Sequence, residues 1–110
     1  MLSGEEGDQQ LVERVQKGDK RAFDVLVLKY QHRIYSLVTR FVRDPDEVQD
    51  VVQAAFIKAY RALPGFRGES AFFTWLYRIA INTVKNYLVS RALRPPGADV
   101  DIEDAEYLES

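Results

Sequence analysis

FRGESAFFTWLYRIAINTVKNYLVSR, residues 66–91, is the stretch whose reading decides the fold. FRGES is a short Gly-containing loop, and the residues after it load the first turns of a helix with aromatic rings. Ser70 suits the N-cap, where its hydroxyl would accept from the amides of the first turn. No Gly or Pro interrupts between Ala71 and Pro95, so the helix can run for several turns. At about 100° per residue, Phe72, Leu76, Ile79, Ala80, Thr83 and Leu88 are assigned to the core side. Trp75, Arg78, Asn82, Lys85 and Asn86 gather on a second stripe about 100° wide. A solvated face usually mixes Glu with Lys, whereas this one has a Trp, two amides and two cations without an acid. Aromatic rings stack on bases, amides read base edges and cations hold phosphates. The competing reading is a core helix with an incidental polar side and a half-buried Trp.

Outward from this stretch the chain stays helical. Upstream, DPDE at 44–47 gives an Asp44 N-cap, Pro45 at the first helical position, and Asp46 and Glu47 in the first turn, where the helix dipole favours acids. That helix runs to about Leu63, stopped by Pro64-Gly65, with Val48, Val51, Val52, Ala55, Phe56, Ala59 and Leu63 inward. Before it, Lys20 to Arg43 carries Phe23, Leu26, Val27, Tyr30, Ile34, Leu37, Val38 and Phe41 at helical spacing. DQQLVERVQK at 8–17 makes a short first helix, with Gly18 suited to its C-terminal turn and Asp19 to the cap of the next. No segment alternates with a period of two long enough to propose a strand. The expected fold is all-α, a compact bundle of about four helices over residues 1–94, followed by an acidic tail from 95 to 110.

Charge is distributed unevenly. All 15 Lys and Arg lie between residues 11 and 94 with 8 acids, a net +7, while residues 1–10 hold three acids and 95–110 six, with no base in either. A basic body is an electrostatic footprint for nucleic acid, although the whole chain is formally −2. The 46% hydrophobic content is that of a folded domain, and the length of 110 residues suits one. The absence of cysteine leaves no disulfide, thiolate metal site or Cys nucleophile. The first ten residues lack the pattern of a secretion signal, and no apolar run reaches membrane-spanning length. A cytoplasmic location is the expectation, without membrane insertion.

Reactive constellations are missing. His32 is the single histidine, flanked by Gln31 and Arg33. There is no Gly-rich phosphate cradle and no His or Cys cluster able to hold zinc. Asp44, Asp46, Glu47 and Asp50 read as capping and dipole partners rather than as a metal site. The sequence therefore predicts no catalytic residue, metal, cofactor or small-molecule substrate.

LVERVQKGDKRAFDVLVLKYQHRIYSLV (11–38), DVVQAAFIKAYRAL (50–63) and FRGESAFFTWLYRIAINTVKNYL (66–88) together resemble the second conserved region of bacterial sigma factors of the extracytoplasmic-function type. The resemblance spans residues 9–96 and is nearest to the sigma-E-like, AlgU-like envelope-stress members. It implies a domain that docks on the clamp helices of the RNA polymerase β′ subunit, with Asp50, Gln53, Ala54, Phe56 and Lys58 at that contact. It further implies capture of the non-template strand of the promoter −10 element as single-stranded DNA. Lys58, Ala62, Phe66, Ser70 and Phe72 would border a pocket for a base turned out of the stack, and Arg67 would be a further DNA-binding residue. Asn82 and Asn86 would contact bases, and Trp75, Arg78 and Lys85 would stand at the point of strand separation and along the backbone. An anti-sigma factor is the implied regulatory partner.

Two departures stand out. Position 54 is Ala where such factors usually carry an acid in Q-E-A-F, which weakens the expected docking contact. Residues 92–94 read ALR where relatives are often rich in Gly and Arg. Nothing after Arg94 could build the second, helix-turn-helix domain of such a factor, so an isolated promoter-melting domain is expected, with 95–110 as the start of a linker. Two rival readings are a protein-interaction module and a helix-turn-helix repressor of duplex DNA. Against the repressor stand the aromatic-rich loop and the Trp on the exposed stripe.

Overall fold

The computed structural model describes residues 4–93, with side chains from 7 onward; the expected acidic tail lies outside the described residues. Four α-helices follow one another: α1 (Gly4–Gln16), α2 (Lys20–Thr39), α3 (Pro45–Ala62) and α4 (Phe72–Ala92), with a 3-10 turn at Leu63–Gly65. Among the described residues there is no strand.

Local chemistry sets most of these limits. Gly18 takes φ 104° after α1, a conformation open mainly to glycine. Asp19 then caps α2, its carboxylate accepting from the Arg21 amide at 3.1 Å. Asp44 caps α3 by accepting from the Asp46 amide at 2.9 Å, ahead of Pro45.

α2 is the central element and packs against the other three helices. Leu26, Ile34 and Val38 of α2 are fully buried with Val42, Val48, Leu63 and Leu76. Most inward positions that the periodicity predicted are buried, among them Val12 of α1 and Val48, Val51, Ala55, Phe56 and Ala59 of α3, while Leu11, Val15, Val27, Val52 and Ile79 are partly buried. Thr83 is the one buried polar side chain of the described residues, and its hydroxyl donates to the Ile79 carbonyl at 2.7 Å.

Three expectations are corrected. α2 ends at Thr39 rather than Arg43, because the chain must become extended at Asp44 to enter Pro45. The turn that results buries Val42 and leaves Phe41 47% exposed. Leu88 is exposed; at about 100° per residue it falls well off the arc of Phe72, Leu76 and Thr83, and Tyr87 packs inward instead. Ser70 does not cap α4: the N-cap is Ala71, and the Ser70 hydroxyl donates to the Ala71 carbonyl at 3.2 Å.

Candidate nucleic-acid interface

The aromatic start of α4 is built around Phe66, which sits in the loop between the 3-10 turn and α4. Its ring lies 4.8 Å from that of Trp75 and 6.4 Å from Phe72, the last pair edge to face. Phe72 is buried and continues the cluster to Tyr30 of α2. Trp75 is thus half covered by Phe66 and Phe72, with the remainder of its indole open. Such an arrangement fixes a ring at the surface, ready to receive another flat ring.

Down the same face of α4, Arg78, Asn82, Lys85 and Asn86 are all exposed. Lys58, Arg67, Arg78 and Lys85 take part in none of the ion pairs among the described residues. The cations that are paired lie elsewhere: Arg14 on Asp19, Lys29 on Asp8, and Arg91 on Glu47. The Arg91 guanidinium meets Glu47 at 2.7 Å and the Tyr87 hydroxyl at 3.3 Å, joining the end of α4 to the start of α3. Glu47 holds Arg91 more firmly protonated than usual. Burial, helped by Glu47, pushes the Tyr87 phenol above its ordinary range. The Arg14 hydrogen bond is the main reason that the Asp19 carboxyl stays below its ordinary range.

Three depressions divide the predicted site residues. One of about 400 Å³ lies between α1 and the loop, lined by Gln16, Phe66, Arg67, Ser70 and Phe72 among others. A second, about 350 Å³, lies between the loop and α4 and takes in Phe66, Arg67, Ser70, Trp75 and Arg78. The third, about 260 Å³, runs between α3 and α4 and is lined by Asp50, Ala54, Lys58, Thr83, Asn86 and Tyr87. Phe66 and Ser70 therefore stand on both walls of the loop, while Lys58 sits beside Asn86 rather than beside them. Ala62 is exposed near the end of α3 and lines none of the three. On α3, Asp50, Gln53 and Lys58 are exposed and Ala54 is half-buried. Phe56 is only 7% exposed and belongs to the core, so its part in any docking contact is to hold the helix that presents its neighbours.

Several contacts were not foreseen from the sequence. The Gln16 amide of α1 donates to the carbonyls of Leu63 and Phe66. The Tyr30 hydroxyl donates to Asp8, tying α1 to α2. Arg33 lies 3.9 Å over the Phe73 ring. Residue spacing carried no signal for these, since each joins distant segments. Among the described residues no group of His, Cys, Asp or Glu could hold a metal ion, and no helix is long and apolar enough to cross a membrane.

Comparison with known proteins gives the family. Residues 26–94 match Sigma-70 region 2. The RNA polymerase sigma-H factor of Pseudomonas aeruginosa is 71% identical over 105 residues, covering 96% of this chain and 54% of that protein. The ECF RNA polymerase sigma-E factor of Escherichia coli K12 is 66% identical over 103 residues, covering 94% of this chain and 53% of that one. The chain thus spans about half the length of these relatives. An engineered region 2 of sigmaE, solved by NMR in complex with GTAAAA, superposes with a TM-score of 0.78 at 59% identity, covering 86% of this chain and 99% of that one. The chain belongs to the Sigma-70 region 2 family, among relatives of the extracytoplasmic-function sigma-E type.

Proposed function

We propose that this domain captures the non-template strand of a promoter −10 element as single-stranded DNA during transcription initiation, with one base turned out of the stack and held by the loop before α4. The observation that carries the reading is the α4 face: a surface-fixed Trp75 indole, two exposed amides and cations without acidic partners among the described residues, all on one side of one helix. The relative solved with GTAAAA supports it. Trp75 stands at the edge of the opened duplex, Asn82 and Asn86 meet bases, and Arg78, Lys85, Lys58 and Arg67 meet phosphates. No reactive group is required. Unstacking a base costs a few kcal/mol, and stacking it on protein rings while neutralising its backbone offsets that cost.

The exposed side of α3, with Asp50, Gln53, Ala54 and Lys58, docks on the β′ clamp helices of RNA polymerase. The domain works in the cytoplasm, in the envelope stress response, under the control of an anti-sigma factor. Residues 1–94 form the promoter-melting unit, and 95–110 begin a linker.

The direct test is an NMR titration of the labelled domain with GTAAAA, its complement and the duplex. Shifts centred on the Trp75 indole and the Asn82 and Asn86 amides, with GTAAAA alone, are expected. Equal shifts with all three would reduce the surface to a generic basic one and refute strand capture.

A further inference from the structure

The loop that carries Phe66 has little of its own to hold it. Among the described residues its one internal backbone bond is from the Phe66 amide to the Leu63 carbonyl, 2.9 Å. Gly68 stands at φ 76°, and the Ser70 hydroxyl bonds only the neighbouring carbonyl. Against this, the Gln16 side chain reaches over from the end of α1. Its Nε2 donates to the Leu63 carbonyl at 3.0 Å and to the Phe66 carbonyl at 2.9 Å. A primary amide has two N–H donors on one nitrogen and can serve two carbonyls at once without bringing a charge. These two carbonyls bracket the 3-10 turn, so the bonds fix the direction in which the chain leaves α3.

α1 does not depend on these bonds to stay in place. Val12 is in the core, Asp8 accepts from Tyr30 and Lys29, and Arg14 grips Asp19 across the turn at 2.7 Å. That grip also fixes the end of α1 from which Gln16 projects. The segment that the Gln16 bonds immobilise is therefore the loop. Phe66 is held at both ends, its backbone by Gln16 and its ring by Trp75 and Phe72.

We propose that Gln16 is the positioning residue of the base-holding loop: by clamping the Leu63 and Phe66 carbonyls, it sets where Phe66 stands and so how selectively the loop retains an unstacked base. The inference rests on the base-capture reading above. A base that the loop holds gains from Gln16, whereas bases lying along α4 gain nothing.

The test compares the wild-type chain with Gln16→Met, similar in size but without a donor, and Gln16→Glu, which turns a carboxylate on two carbonyls. Each is titrated with GTAAAA and with six analogues that carry one abasic nucleotide apiece. The wild type is expected to show one position where base removal costs most. In both variants the penalty at that position should shrink about fivefold, the equivalent of one hydrogen bond, while penalties elsewhere stay. Amide exchange should quicken at Phe66 and stay unchanged along α1. A uniform weakening at every position, or an unchanged profile, would overturn the proposal, as would unaltered exchange at Phe66. A flat profile in the wild type would instead sink base capture itself, and this inference with it.

Discussion

Removing the two cations of the α4 face offers the sharpest test of what that face binds. Arg78 and Lys85 are exposed and have no acidic partner among the described residues, so each is free to neutralise one phosphate. On single strands each such contact contributes about −0.7 to the slope of log K against log salt. With Lys58, Arg67, Arg78 and Lys85 all engaged, the wild-type slope is expected near −2.8, about a fiftyfold loss of affinity from 50 to 200 mM salt. Each single variant, Arg78→Ala or Lys85→Ala, should flatten the slope by about 0.7, and the double variant by about 1.4. The double variant should thus lose only about sevenfold over the same range. Arg91→Ala is the control: its charge is already matched by Glu47 at 2.7 Å, so the slope should hold. Fluorescence anisotropy of labelled GTAAAA at four salt concentrations reads all of this. Double-variant binding that weakens at every salt with the slope intact would mean that these side chains shape the helix and never meet phosphate.

Other expectations are more local. Asn82→Ala should relax base preference more than it lowers affinity across a panel of hexamers; equal weakening on every sequence would remove its base-reading role. Ala54→Glu should tighten binding to core RNA polymerase in a pull-down titration, and unchanged affinity would dispose of the argument drawn from that position. Leu76→Ala, at a site with no solvent exposure, should cost about 2–5 kcal/mol and lower the melting midpoint by at least about 8 °C in a thermal scan. The Asp19 carboxyl, held below its ordinary range by Arg14, supports the fold above about pH 4 and loses that support as pH falls through its folded value. Asp19→Asn should therefore flatten the part of the stability curve below pH 4, and an unaltered acid limb would show that the pair adds nothing.

The helices were legible in the sequence because their limits are written in local chemistry. Asp44-Pro45 and Pro64-Gly65 act on their own backbone, whatever packs around them. The core was legible for the same reason, since Phe23, Leu26, Tyr30 and Ile34 keep helical register. Where a limit depends on a neighbour, the reading failed. Phe41 and Val42 are equally apolar, and only the turn after Thr39 decides which goes in. Ser70 has a good cap's chemistry, yet the loop aims its hydroxyl at Ala71. The α4 stripe was visible as a composition without acids. The Gln16 clamp was not, because a glutamine at a helix end resembles any solvated residue until Leu63 and Phe66 are brought to it.

The α3–α4 depression adds a constraint that neither helix has alone. Asp50, Ala54 and Lys58 come from the side of α3 proposed to dock on polymerase, and Asn86 from the side of α4 proposed to meet bases, yet all line one groove. The groove walls are locked: Thr83 is buried at its floor, and Glu47 ties α3 to Arg91 at the far end of α4. Packed helices joined in this way do not slide independently. A partner that seats on α3 would therefore meet the same rigid surface that carries Asn86. Lys58 lies where both could use it, one turn beyond Ala54. An acid at position 54 would stand at i, i+4 to that lysine and compete for it. With alanine there, Lys58 remains free of an acidic partner among the described residues, so on the proposed reading a weaker docking contact is set against a cation left available for phosphate.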